Sequence, residues 1–295
     1  MSVEKQPISP ELVNQLIIYQ KAEITAHHIY ARLANRTRDT QNRKLLKSIA
    51  SDELKHYRIL KNHTGKDVGP DRAKIFLFVW LSRLLGLTFG LKLLEKAEEQ
   101  DQMNYLGVEH LFHEMKQVLL DEESHELELL NLINEESLSY VGSIVLGLND
   151  ALVELTGTLA GLTFAFQNTR LIALSGLITG IAASLSMAVS DYLSKRAEGG
   201  EKNALKSAIY TGIAYIITVA LLISPYLFTQ NYFICLIIVL SIAVLIILAF
   251  NFYLSVAKDY PFARRFWEMV ALSLGVAAIS FGIGYLLRVT VGIDI

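Results

Sequence analysis

Hydrophobic and polar positions divide the chain into two halves with different patterns. In the first half, apolar residues recur at helical spacing among many charged ones, whereas the second half consists of long apolar stretches separated by short polar turns. A helix that spans a bilayer needs about 20 mostly apolar residues, and five stretches meet that requirement. The predicted spans are Val141–Phe166, Leu171–Leu193, Leu205–Phe228, Tyr232–Val256 and Phe266–Leu287.

The charge content of these stretches distinguishes membrane helices from the buried helices of a soluble protein. Segment Phe233–Phe250, for example, contains no charged residue. Five such stretches in succession leave no polar helix faces for water. We therefore expect residues 139–295 to form a five-helix transmembrane domain in a lipid bilayer.

The first half, residues 1–138, has the pattern of a helical bundle. Long helical patterns cover residues 9–136, with polar breaks near Asn35–Thr40, His63–Arg72 and Leu106–Val108. Four helices with one longer connection are typical of the ferritin-like arrangement. The predicted fold is therefore all-α: a ferritin-like four-helix bundle followed by a five-helix transmembrane domain.

Carboxylates and histidines recur at fixed spacing on the predicted bundle helices. Glu53-x-x-His56 lies on the second helix and Glu122-x-x-His125 lies on the fourth. Residues three apart lie on one side of a helix, so each pair can point at one centre. The other candidate ligands are Glu23 on the first helix and Glu95 and Glu98 on the third.

This set has the composition of a di-iron carboxylate bundle, in which two Glu-x-x-His pairs are joined by glutamates from the other helices. Oxygen and imidazole ligands suit Fe(II), Mn(II) or Zn(II), and the carboxylate-rich composition favours iron. The sequence therefore predicts a site for two iron ions, with Mn or Zn as alternatives.

One bundle segment is unusually apolar. Residues Ile75–Leu94 match a span in length, but Arg83 and Lys92 interrupt them. A span here would also place the ligands of the third helix across the membrane from their partners. We expect a helix that packs on the membrane face of the bundle or in a dimer interface.

Basic residues are concentrated in the connections after the second and fourth predicted spans. They are Lys195, Arg196, Lys202, Lys206, Lys258, Arg264 and Arg265. The positive-inside rule places these connections in the cytoplasm. The N-terminal domain is then cytoplasmic and the C-terminus lies outside. The polar residues Met1–Pro10 lack the features of a signal peptide, which agrees with this orientation in a prokaryotic cell (inner) membrane.

Charged residues within spans are costly and usually functional. Asp150 and Glu154 lie four residues apart on one face of the first span, and Met187 and Asp191 are spaced in the same way at the end of the second. Asp191 has an alternative interpretation, as a residue that marks the end of a helix at the membrane interface. Together these residues predict an acid-lined path for a cation.

Overall charge and cysteine content exclude other chemistries. The formal net charge is −2, which argues against a nucleic-acid partner. Cys235 is the single cysteine and lies in an apolar run, so one chain can form neither a disulfide framework nor a thiolate metal site.

Two known families resemble the two halves. Residues 9–136 resemble rubrerythrin-type ferritin-like proteins through Glu23, Glu53-x-x-His56, Glu95-x-x-Glu98 and Glu122-x-x-His125. Residues 139–290 resemble the vacuolar iron transporter family. The second resemblance rests on Gly147-Leu148-Asn149-Asp150-Ala151-Leu152-Val153, Ser186-Met187, Asp191-Tyr192-Leu193-Ser194 and, more weakly, Pro225-Tyr226. The combination resembles the membrane-bound ferritin type of protein.

The transporter resemblance implies a five-span homodimer that moves Fe(II), or Mn(II), out of the cytoplasm in exchange for protons. Asp150 and Met187 match the metal path of that family, and Asp191 stands where the family commonly has Glu. Plant and fungal members carry a glutamate-rich helical insert between the second and third spans. The connection here, Lys195–Ala204, is too short for that insert, and the ferritin-like domain is a candidate replacement as metal collector.

The sequence leaves three functions open. The leading hypothesis is a transporter whose cytoplasmic di-metal bundle binds, senses or oxidises iron. The second is a membrane-anchored di-iron ferroxidase or peroxidase; rubrerythrins often carry a cysteine-rich iron module that feeds electrons to this chemistry, and the module is missing here. Five spans also exceed what an anchor requires. The third is an iron-storage shell, which the membrane domain makes geometrically awkward.

Overall fold

A computed structural model describes residues 10–105, 113–131, 140–199 and 201–291, apart from a few side chains at the edges of these ranges. In this part of the chain the regular secondary structure consists of ten α-helices. The chain forms two compact units, residues 1–135 and 136–295. The all-helical architecture agrees with the prediction, and each unit is described by itself below.

The N-terminal unit contains five of the described helices. They are α1 (Pro10–Arg36), α2 (Thr40–Thr64), α3 (Arg72–Leu85), α4 (Leu87–Tyr105) and α5 (His113–Asn131). The α1–α2 and α2–α3 connections fall inside the predicted breaks, whereas the predicted break at Leu106–Val108 lies outside the described residues.

Side-chain caps define the ends of these helices. Asp39 begins α2 by accepting a hydrogen bond from the backbone N–H of Asn42, and Asp71 begins α3 in the same way with Ala73 and Lys74. Gly65 ends α2 in the left-handed conformation, with φ +64°.

Gly86 divides the apolar segment that was expected to form one helix. The backbone at Gly86 adopts φ 99° and ψ 155°, so α3 ends at Leu85 and α4 begins at Leu87. These dihedral angles are open to glycine and strained for other residues. The expected third bundle helix is therefore two helices, and Glu95 and Glu98 both belong to α4.

Two hydrophobic clusters stabilise the N-terminal unit. One contains Leu16 of α1, Leu60 of α2 and Met115 of α5. The other contains Ile29 of α1 and Ile49 of α2. Along α1, α2 and α5 a band of buried acids and histidines lies between the residues of these two clusters.

The second unit contains the other five described helices. They are α6 (Val141–Phe166), α7 (Thr169–Ala197), α8 (Glu201–Phe228), α9 (Tyr232–Ala257) and α10 (Phe262–Val291). Each is long and apolar enough to cross a membrane. They coincide with the five predicted spans, so the prediction of five apolar membrane-length helices is confirmed.

Helix α6 is the centre of this unit because it packs against each of the other four helices. Glycines permit its closest approaches. A Cβ atom on Gly147 would lie 2.4 Å from the backbone oxygen of Thr211 in α8, and one on Gly284 of α10 would lie 2.3 Å from the backbone oxygen of Gly161. The backbone of α6 therefore contacts two neighbouring helices directly.

Replacing Gly147 by alanine should separate α6 from α8, because a backbone oxygen cannot yield as a flexible side chain can. We expect Gly147→Ala to destabilise the protein by about 1–3 kcal/mol. The measurement is the thermal unfolding midpoint of the detergent-solubilised chain. Gly142→Ala is the matched control on the same helix, since its Cβ would meet no atom within 4 Å. Equal midpoints for the two variants would contradict the close α6–α8 contact.

Candidate metal sites

Four of the predicted ligands converge in the N-terminal unit. Glu23 of α1, Glu53 and His56 of α2, and Glu122 of α5 are all buried, and each offers a ligand atom within 4.8 Å of the others. Burying three carboxylates in one place is unfavourable unless cations or hydrogen-bond donors accompany them. The arrangement is therefore suited to binding a cation.

The two Glu-x-x-His histidines point into the same region. His56 Nδ1 lies 3.2 Å from a carboxylate oxygen of Glu122 and 3.5 Å from one of Glu23. His125 Nδ1 lies 3.5 Å from a carboxylate oxygen of Glu53. The ring centroids of the two histidines are 6.1 Å apart. His125 thus lies beside the four-residue group, and the di-iron assignment of these residues stays a prediction.

Two aspartates that were not predicted as site residues contact the Nε2 atoms of these histidines, on the side of each ring away from the cluster. His56 Nε2 lies 3.2 Å from Asp121 of α5, and His125 Nε2 lies 3.5 Å from Asp52 of α2. Each aspartate immediately precedes the glutamate of one motif and contacts the histidine of the other. A carboxylate at the outer nitrogen orients a histidine and leaves the other nitrogen for a metal. The signal was present in the sequence as a repeated Asp-Glu-x-x-His.

Electrostatics in this cluster favour a charged His56. Burial favours its neutral form, but the adjacent carboxylates of Glu122 and Glu23 outweigh burial and raise the pKa of His56 to about 11. Burial would raise the pKa of Asp52, whereas Lys55 and His125 lower it by more, so that pKa is below its usual value. In the metal-free protein an imidazolium thus balances part of the negative charge.

The buried nitrogens test whether the site fits a metal. Nδ1 of His56 and Nδ1 of His125 are both buried, and neither has a well-aligned hydrogen-bond partner among the described residues. Both Nδ1 atoms face carboxylates of the cluster, and an aspartate contacts the other nitrogen of each ring. Nitrogen and oxygen donors in this setting fit a divalent transition metal such as iron, manganese or zinc.

The ligands predicted on the third helix are placed differently. Glu95 is half-buried on α4 and is not part of the four-residue group. Glu98 lies one turn further along α4, and its side chain lies outside the described part of the structure. The described cluster therefore draws its ligands from α1, α2 and α5.

The predicted path residues of the membrane unit fall into two groups. In the first, Asp150 is half-buried on α6, and Glu154, one turn later, accepts a hydrogen bond of 2.7 Å from the hydroxyl of Tyr215 in α8. Asn149, next to Asp150, has a buried side-chain oxygen without a hydrogen-bond partner among the described residues. Tyr215 and Asn149 were not predicted as site residues, although Asn149 lies in the motif that carries the family resemblance.

Asp191 forms the second group, at the cytoplasmic end predicted for α7. It is buried, and one of its oxygens accepts a hydrogen bond of 2.6 Å from Ser207 and lies 3.0 Å from the hydroxyl of Thr211. Ser207 also contacts Ser143 of α6 at 2.5 Å. The carboxylate therefore joins three helices through hydroxyl groups, which is more than an interfacial helix end requires. Met187, one turn earlier, is half-buried against the core of the unit.

Comparison with known families gives one match. Residues 141–201 match the model of the VIT family, the vacuolar iron transporters. The matched segment covers α6 and α7 and contains all four predicted path residues. A comparison with curated proteins finds no match. The match and the five apolar helices support a multi-pass membrane protein with a metal-ion transporter domain.

The charge on His56 makes a pH-dependent prediction for the metal-free protein. The pKa of His56 is higher in the folded state, so its contribution to stability is complete below about pH 6.5 and declines as pH rises toward 11. Replacing His56 by Gln leaves buried carboxylates without this cation, which costs about 3–5 kcal/mol when one partner of a buried pair is removed. We expect that deficit near pH 6.5 and a smaller one at pH 9.

This deficit is measured by thermal unfolding of the full chain with chelator present. Trp80 of α3 reports on the N-terminal unit when the other tryptophan is replaced, as Trp267→Phe. The control is His63→Gln, because His63 pairs with Glu114 away from the cluster. A deficit that is constant between pH 6.5 and pH 9 would show that the charge of His56 does not stabilise the cluster.

Proposed function

We propose that the protein exports Fe(II), and also Mn(II), from the cytoplasm in exchange for protons. The observation that carries this proposal is that the segment similar to vacuolar iron transporters contains Asp150, Glu154, Met187 and Asp191 on two adjacent membrane helices. Intramembrane carboxylates usually mark an ion or proton pathway. The predicted orientation, with the N-terminal unit cytoplasmic and the C-terminus outside, gives the direction.

Oxygen and sulfur ligands in the membrane unit would select the cation. Asp150 and Glu154 supply negative charge, and the buried amide oxygen of Asn149 is a further oxygen donor. The Tyr215 hydroxyl holds Glu154 in one orientation. Met187 adds a soft ligand, which favours Fe(II) over Mg(II) and Ca(II). Each carboxylate can bind either the cation or a proton, so release of one accompanies uptake of the other.

The cytoplasmic unit would collect the metal through a ferritin-like, rubrerythrin-type di-iron site. Its proposed ligands are Glu23, Glu53, His56, Glu122 and His125, with Glu95 and Glu98 of α4 as further candidates. Bound iron would supply Fe(II)/Fe(III) redox chemistry. Asp52 and Asp121 hold the histidine rings in place, and the apolar clusters on either side exclude water from the band. A homodimer, as the resemblance implies, is the assembly we propose.

The test is Fe(II) flux into or out of proteoliposomes under an imposed pH gradient. We expect the wild-type protein to transport Fe(II) in a proton-linked manner. In Asp150→Asn the Fe(II) flux should be at least about tenfold lower than in wild type, because one intramembrane carboxylate is neutralised. Glu198→Gln is the matched control, since Glu198 is an exposed carboxylate just after α7, paired with Lys195. Its flux should equal that of wild type.

Glu53→Ala distinguishes the two units in the same assay. It should keep Asp150-dependent flux but reduce it at limiting Fe(II), because the collecting site is damaged. Full flux in Asp150→Asn would overturn the transport path. Absence of flux in every sample, with folded protein and iron bound to the bundle, would instead favour the membrane-anchored ferroxidase or peroxidase. Oxygen or peroxide consumption that depends on Glu53 and Glu122 would then be the activity to measure.

A further inference from the structure

Helix α3 has apolar residues on both of its sides. Its inner side, with Ile75, Phe78 and Val79, is buried against the core of the N-terminal unit. Its outer side is exposed and equally apolar. The exposed fractions there are 70% for Phe76, 48% for Leu77, 49% for Trp80 and 63% for Leu84. An apolar surface of this kind on one helix marks an interaction site.

Cations lie at both ends of this outer face. Arg72 and Arg83 are eleven residues apart, close to three helical turns, and thus share the side that carries Phe76 and Trp80. The face defined by Arg72, Phe76, Leu77, Trp80, Arg83 and Leu84 is called the outer face below. It contains no acidic residue.

Arg83 of the outer face also lines a pocket that contains two further arginines. These are Arg36, the last residue of α1, and Arg38, two residues later, and the volume of the pocket is about 330 Å³. No acidic side chain lines the pocket. In the part of the chain that the structure describes, these arginines form no ion pair with a carboxylate. An unneutralised group of guanidinium ions suits an anion, and arginine binds phosphate through paired hydrogen bonds.

We propose that the outer face and the arginine pocket bind the surface of an anionic phospholipid bilayer. Trp80 and Phe76 lie at the level of the headgroups, where aromatic side chains are favoured, and the leucines contact the upper acyl chains. The arginine pocket takes a headgroup phosphate. The N-terminal unit therefore binds the membrane through its own surface, in addition to its covalent link to the spans.

Charge complementarity favours a lipid over a second copy of the chain. A symmetric contact between two outer faces would bring Arg72 and Arg83 of each copy close to those of the other, and the outer face has no carboxylate to separate them. Anionic headgroups instead neutralise these residues. The covalent link to a unit with five candidate spans also keeps a bilayer at high effective concentration.

Two tryptophans make a direct test possible in the full chain. Trp267→Phe leaves Trp80 as the one fluorescent tryptophan, and Trp80→Phe leaves Trp267 of α10 as a reference within a candidate span. Each variant is placed in nanodiscs of brominated phosphatidylcholine, alone or with roughly one lipid in three replaced by phosphatidylglycerol carrying the same brominated chains, so that the bromine content is equal in both. We expect quenching of Trp80 to rise about twofold in the anionic discs. Quenching of Trp267 should be the same in both.

Charge-matched variants test the arginine pocket. Arg36→Gln, Arg38→Gln and Arg83→Gln together should reduce Trp80 quenching in anionic discs to its value in neutral discs. The control variant removes the same charge from exposed positions on α2, through Lys44→Gln, Lys47→Gln and Arg58→Gln. Trp80 quenching in anionic discs should be unchanged in this control. Equal effects of the two triple variants would overturn the headgroup site.

Aqueous iodide completes the assay. Trp80 quenched by iodide and not by brominated lipid would place the outer face in water and overturn the proposal. Trp80 protected from both quenchers would mean that protein, such as a second copy, covers the face, and this also overturns it. None of these outcomes depends on Fe(II) flux, so the lipid surface and the transport function are tested separately.

Discussion

The buried carboxylates of this chain require partners, and that requirement organises both of its units. A charged carboxylate away from water is stable only with a cation or several hydrogen-bond donors beside it. In the N-terminal unit the partners of Glu23, Glu53 and Glu122 include two histidines. In the membrane unit the partners of Asp191 are hydroxyl groups of α8. In the first arrangement the buried Nδ1 atoms of both histidines face the carboxylates, where a metal can take the place of a proton. In the second the donors are hydroxyl groups, which hold the carboxylate between helices.

The same requirement fixes how the bundle helices meet. Asp52 and Asp121 each contact the histidine of the opposite motif, so α2 and α5 can pair in only one register without breaking both contacts. Apolar clusters on either side of the band exclude water and strengthen the electrostatic interactions within it. The packing of the unit and the chemistry of its site therefore depend on the same few residues. In the membrane unit, direct backbone contacts of α6 have the corresponding role.

Local patterns in the sequence predicted what depends on local physics. Apolar length predicted the five membrane-length helices, and Glu-x-x-His spacing predicted that His56 and His125 share a face with Glu53 and Glu122. The division at Gly86 was missed because a glycine inside an apolar run is compatible with a continuous helix. Asp52, Asp121 and Tyr215 were missed because their roles depend on residues far along the chain. The hydroxyl partners of Asp191 could not be read from α7 alone, since they belong to α8.

The acid and histidine band of the N-terminal unit is the proposed metal site, and its occupancy by iron is the central prediction. Anomalous X-ray scattering from crystals of the full chain loaded with Fe(II) locates the metal directly. We predict two strong iron peaks among Glu23, Glu53, His56, Glu122 and His125, and their loss in Glu53→Ala. Iron found only at exposed pairs such as His63 and Glu114, with none in the buried band, would show that the band is not a metal site.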